Sequence, residues 1–96
     1  MKYIISESRL HEFMSSYLDN YQASKHLGFI LISQPIDEDN WTDLMEYDYS
    51  DGRLWINKDF LKNFSDIFAL GSEYAKNFIT NWFENKFAVK ASFTES

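Results

Sequence analysis

Cysteine is absent from this 96-residue sequence, and with it disulfide frameworks, thiolate metal sites and cysteine nucleophiles. Its absence fits a reducing compartment. Proline occurs once and glycine three times, too seldom for a linker or a disordered chain. No apolar run approaches the length of a membrane span, and the opening run Met1 to Ile5 is far too short for a signal peptide. A cytoplasmic protein is expected. Cations are in the minority: 9 Lys and Arg face 15 Asp and Glu, for a formal net charge of -6. Attraction to a phosphate backbone comes from lysine and arginine, so no direct contact with nucleic acid is expected. The acidic balance points to solubility or to basic partners.

Apolar and aromatic residues are abundant, at 45% and 19% of the chain. The length suits one domain, residues 1–96, and each buried ring removes a large area from water. Lys2 to Ile5 predicts a short strand, with Ser6 or Ser8 as N-cap of a helix after it. Leu10, Phe13, Met14, Tyr17, Leu18 and Tyr21 then recur at helical spacing. Lys25, His26 and Gly28 stand where that helix would end and turn. Phe29 to Ile32 is a short apolar run after glycine, which predicts a buried strand, and Gln34 to Asn40 a polar loop.

Asp51-Gly52 suits the centre of a tight hairpin turn in which both residues take positive φ. Tyr49 would then face Leu54 and Tyr47 would face Ile56, with Met45 on the same side. Leu44, Glu46, Asp48 and Trp55 would occupy the other side. A rival reading caps a short helix, Trp41 to Glu46, with Asn40. Asn57 predicts an N-cap, followed by the stripe Phe60, Leu61, Phe64, Ile67 and Phe68. After the break at Gly71-Ser72, a second stripe holds Tyr74, Ala75, Phe78, Ile79, Trp82 and Phe83. Phe87, Val89, Ala91 and Phe93 alternate with Ala88, Lys90, Ser92 and Thr94, as in a half-buried strand. The expected order is β-α-β-β-β-α-α-β: an α+β fold with a mostly antiparallel, twisted sheet and three helices packed on one face.

Met1-Lys2-Tyr3-Ile4-Ile5-Ser6-Glu7-Ser8-Arg9-Leu10 resembles the opening of many small bacteriophage-encoded proteins. Leu54-Trp55-Ile56-Asn57 and Trp82-Phe83-Glu84-Asn85-Lys86-Phe87 resemble segments that recur among them. The resemblance implies a phage accessory protein acting in a bacterial cytoplasm. That group brings no assigned activity, so no functional residue is transferred.

Motifs that carry chemistry fail on spacing. His11 and His26 are not one helical turn apart, and neither belongs to a His-Glu-x-x-His pattern. His11 beside Glu12 reads as a surface pair, and His26 as a helix-end residue. An EF-hand loop needs glycine sixth and glutamate twelfth. Counted from Asp48, Gly52 is fifth and the twelfth residue is Asp59; counted from Glu46, Gly52 is seventh. An irregular divalent-ion site from Asp37, Glu38, Asp39 and the turn stays open. No Gly-x-Ser-x-Gly elbow, P-loop or dinucleotide fingerprint is present. No cofactor and no enzyme activity are expected.

Charge is distributed unevenly. Asp37, Glu38, Asp39, Asp43, Glu46, Asp48 and Asp51 occupy one segment without lysine or arginine, and elsewhere acids and bases nearly cancel. With Glu46 and Asp48 on one sheet face beside Trp55, the expectation is an acidic, tryptophan-centred contact surface for a protein with a basic surface. Asp37, Glu38 and Asp39 would form its rim. The bland alternative packs Trp55 under a helix or loop. Two other functional readings are a self-associating structural or virion subunit, using the last strand as a free edge, and an acidic inhibitor that mimics nucleic acid.

Overall fold

The computed structural model describes residues 7–95, with the side chains of Glu7, Ser8, Thr94 and Glu95 left aside. The elements are α1 (Glu7–Asp19), β1 (Gln22–Lys25), β2 (Phe29–Pro35), β3 (Trp41–Asp48), β4 (Arg53–Ile56), α2 (Lys58–Ile67), α3 (Ser72–Phe87) and β5 (Ser92–Glu95). The class is α+β with three helices. One five-stranded sheet runs β1-β2-β3-β4-β5 and is antiparallel except for its last pair. From α1 onward the order follows the expectation except for one added strand, β1. The expected strand from Lys2 to Ile5 and the Ser6 cap lie outside the described residues. Ser8 falls inside α1.

β1 corrects the reading of Lys25, His26 and Gly28 as a helix end. Gln22 to Lys25 is polar almost throughout and shows no alternation, so only its backbone pairing with β2 makes it a strand. Such polarity suits a sheet edge, where an apolar strand would recruit other chains. The His26 N–H donates to the Phe29 carbonyl at 2.8 Å and closes the connection.

The sheet buries one face. Ile30, Ile32, Met45, Tyr47, Leu54 and Ile56 meet Met14 and Leu18 from α1, Phe60 and Phe64 from α2, and Ala75, Ile79, Trp82 and Phe83 from α3. All these side chains are buried, so the three helices cover the same side. Asn57 caps α2 as expected: its side-chain oxygen accepts from the N–H groups of Asp59 and Phe60. α1 is tied to α3 through Asp19, whose Oδ1 accepts from Lys86 Nζ and from Trp82 Nε1, each at 3.0 Å.

Lys86, and after it the Trp82 N–H, hold the Asp19 carboxyl below its ordinary range, against the opposing effect of burial. A depressed folded-state pKa gives stability that is present above the unfolded value and lost as pH falls through the folded one. The urea midpoint is therefore expected to drop as pH falls below the ordinary carboxylate range, about pH 4. An Asp19→Asn variant should show a smaller drop; an equal drop would remove Asp19 as a cause.

Two further expectations are corrected. The pairing Met45 with Ile56 and Tyr47 with Leu54 lies two residues from the register anticipated, so the faces are kept but the turn is longer. Asp48 pairs with Arg53, and only Gly52, at φ 69°, is left-handed in this turn. The longer loop spares Asp51 that conformation. Tyr49 lies in the loop and is exposed. Trp41 to Glu46 is strand, so the rival helix does not form.

The final strand is also shorter than expected. Helix α3 runs through Phe87, whose ring packs 4.6 Å from that of Phe83 one turn earlier. Ala88 then takes φ 54° and ends the helix. The 3.6-residue stripe of Ile79 and Phe83 thus claims Phe87 from the alternating pattern. β5 runs parallel to β4 because α2 and α3 carry the chain back across the sheet.

Candidate functional site

The face of the sheet away from the helices is the candidate site. Its position follows from alternation interrupted once. β2 and β3 pair Ile32 with Met45 and then Ser33 with Asp43, which leaves Leu44 as the extra residue of a β-bulge. Both Leu44 and Met45 therefore point inward and are buried. The freed Leu44 carbonyl accepts from the Asn57 N–H at 2.8 Å. Leu44 was expected on the outer face; the bulge overturns that.

The bulge has a second consequence. It transfers Asp43 and Trp41 to the outer face, in line with Glu46 and Asp48. Trp41 is 50% exposed there and borders a shallow depression with Gln22, Ser24 and Ser33. Sequence reasoning missed Trp41. The signal was the adjacent pair Leu44-Met45, two apolar residues where strict alternation allows one.

Trp55 sits directly opposite Glu46 on the neighbouring strand and opposite Thr94 on the other side. It is half-buried and takes no part in the core. Among the described residues no helix covers it, which removes a helix, but not a loop, as its cover. Leu31, across β3 from it, and Phe29 in the next row are likewise half-buried and outside the core. The outer face thus carries Phe29, Leu31, Trp41 and Trp55 among Asp43, Glu46 and Asp48, with Arg53 opposite Asp48 in strand register and ion-paired to Asp51 at 3.8 Å.

The acids do not all serve one surface. Asp48 accepts from the Ser50 hydroxyl at 2.7 Å and from the Ser50 N–H at 2.8 Å. These bonds hold its carboxyl below the ordinary range. Asp37 accepts from Asn40 Nδ2 and from the N–H groups of Asp39 and Asn40, and is lowered for the same reason, the Asn40 side chain first. Both carboxylates lock their own hairpin loops. Asp37, Glu38 and Asp39 lie at the opposite end of the eight-residue β3 from the Asp48 turn. That distance is about 23 Å. They extend the face at one end instead of ringing Trp55. The same separation prevents the loop and the turn from sharing an ion. No group of three or more His, Asp or Glu among the described residues is placed to hold a metal.

The histidines are committed elsewhere. His11 Nε2 lies 2.8 Å from Tyr74 Oη, bridging α1 and α3, in place of the expected pairing with Glu12. The His26 ring stacks on Phe29, 4.5 Å between centroids. A cleft of about 430 Å³ opens between α1, α2 and the ends of β2 and β3. Tyr17, Tyr21 and Phe60 form part of its wall, and Asp59, Asn63 and Asp66 its rim. Neither histidine nor serine lines it, and Asn57 there is spent on the α2 cap. Burial, and after it a hydrogen bond with Tyr17, push the Tyr21 phenol up, so it stays protonated.

Among the described residues no helix is long and apolar enough to cross a membrane. No family model matches the chain, and no curated protein or solved structure matches it either.

Proposed function

We propose that this chain is a small non-enzymatic binding protein whose outer sheet face engages a protein with a basic surface. One observation supports this above the others: Trp55 stands half-buried on a sheet face that no helix covers among the described residues, directly opposite Glu46. A single exposed apolar residue is ordinary, but exposed Trp41 together with half-buried Phe29, Leu31 and Trp55, interspersed with three acids on one face, has the composition of a contact surface. Tryptophan favours the centre of such surfaces, and acids around it steer a cationic partner. The resemblance of three segments of the chain to phage proteins suggests a partner of the bacterial host or the virus, met in the cytoplasm.

The test is a pull-down from host lysate with the wild type and a Glu46→Lys, Trp55→Ala variant. Asp48 is spared because it holds the turn. A basic protein retained by the wild type should bind the variant about thirtyfold more weakly or worse. Its capture should also weaken with added salt. Equal capture by both would dismiss the surface. A stable dimer by light scattering, with no partner, would favour self-association through a sheet edge.

A further inference from the structure

We propose that the cleft between α2 and α3 binds a small phosphorylated molecule. The cleft measures about 390 Å³ and is lined by Lys58, Lys62 and Lys76, with Leu61 and Leu70. Three of the nine cations of a chain with net charge -6 thus converge on one depression. It lies on the helical side of the molecule, apart from the outer sheet face, and is independent of the function proposed above.

Helix energetics do not favour Lys58 in this place. Lys58 is the first residue of α2, where the helix dipole is positive and opposes a cation. Lys62 follows one turn later and repels Lys58, although Asp59 and Asp66, each about one turn from Lys62, attract it. The α2 N-terminus has no need of either, because Asn57 caps it and Asp59 supplies the favourable charge. Lys58 and Lys62 form no ion pair among the described residues. Lys76 reaches the cleft from α3 with its side chain only 17% exposed. It is held by Glu73 Oε1 at 3.4 Å and lies 5.0 Å from the centre of the Phe93 ring. One fixed ammonium and two solvated ones therefore face a common space. Asp66 and Ser65 also border it; Asp66 offsets part of the charge, and the Ser65 hydroxyl already donates to the Leu61 carbonyl.

A group with two negative charges suits the two solvated ammonium groups of Lys58 and Lys62, with Lys76, already paired to Glu73, bordering it, since lysine binds phosphate as a point charge. Leu61 and Leu70 offer an apolar wall for the rest of the ligand, and the volume is that of a small-molecule site. A phosphomonoester of a small metabolite matches both the charge and the wall.

The experiment tracks backbone amide signals of the labelled protein as glycerol 3-phosphate, inorganic phosphate or glycerol is added. Saturable shifts confined to the Lys58–Lys62 turn and the start of α3 are expected with either phosphate, and none with glycerol. A Lys58→Gln, Lys62→Gln variant should bind about tenfold more weakly or worse. Both side chains are exposed, so the variant should fold, and its unshifted signals elsewhere would verify this. Shifts spread equally over Lys25, Lys86 and Lys90, no saturation at millimolar phosphate, or unchanged affinity in the variant would each overturn the assignment. So would saturation by a phosphoserine peptide alone, which would point to a modified protein instead.

Discussion

A Leu44→Asp variant is expected to be largely unfolded at room temperature. Leu44 is 3% exposed and lies against the side of the sheet that the helices cover. A carboxylate there would lose its hydration, and the lining of the neighbouring cleft includes no lysine or arginine to pair with it. Burial of an unpaired charge belongs to the rare substitutions that cost about 4 kcal/mol or more. A domain of this size holds roughly 5–10 kcal/mol in total, so most of its margin would go. The comparison is Glu46→Ala on the same strand, which is exposed and should change stability by about 0.5 kcal/mol or less. Urea titration followed by circular dichroism measures both. Strict alternation, without the bulge, would put Leu44 beside Glu46 on the outer face and make the two substitutions equally mild. A Leu44→Asp protein as stable as Glu46→Ala would therefore refute the bulge.

Phe64→Ala should cost about 3–5 kcal/mol. Phe64 is fully buried at the junction of all three helices, with the rings of Tyr17, Phe60, Phe68 and Phe78 within 6.3 Å of its own. Its removal takes away transfer energy and leaves a cavity that four rings cannot close together. The melting temperature should fall by on the order of 15–30 °C. Ile67 belongs to the same sequence stripe but is 56% exposed, at the rim of the cleft beside α1. Ile67→Ala should move the midpoint hardly at all. Differential scanning calorimetry of the two variants separates the core edge of α2 from its solvent edge. Similar losses for both would mean that α2 is rotated about its axis, with Ile67 turned toward the core.

The difference between these two positions shows how far periodicity reaches. A 3.6-residue repeat marks a stripe on α2, and Phe60 and Phe64 fulfil it, but the stripe is wider than the surface available to cover it. Phe13 and Tyr74 are similar: both have helical spacing, and both remain exposed at 49% and 42%. The candidate surface was legible at its centre. Glu46 and Trp55 share a face in either hairpin register, because a shift of two residues preserves side-chain alternation. Asp37 and Asp48 were visible as charges, but not as the acceptors that close their own loops. Trp41 was not recognisable as part of the face, because a bulge is a pairing event between two strands and one strand does not display it.

Sequence alone determined the α+β class, the helical segments, the Asn57 cap, the shared inner face of Met45, Tyr47, Leu54 and Ile56, and the concentration of acid between Asp37 and Asp51. Each of these rests on local physics: spacing, capping chemistry or charge within a few residues. Tertiary structure decided which polar segment became β1, where β3 bulges, how far α3 extends, and that β5 joins β4 in parallel. It also decided that the three helices pack on the side of the sheet away from Trp55 and bring three lysines together between α2 and α3. Those outcomes depend on backbone groups finding partners, and on side chains finding cover, from residues remote in the chain. No window of neighbouring residues contains that information.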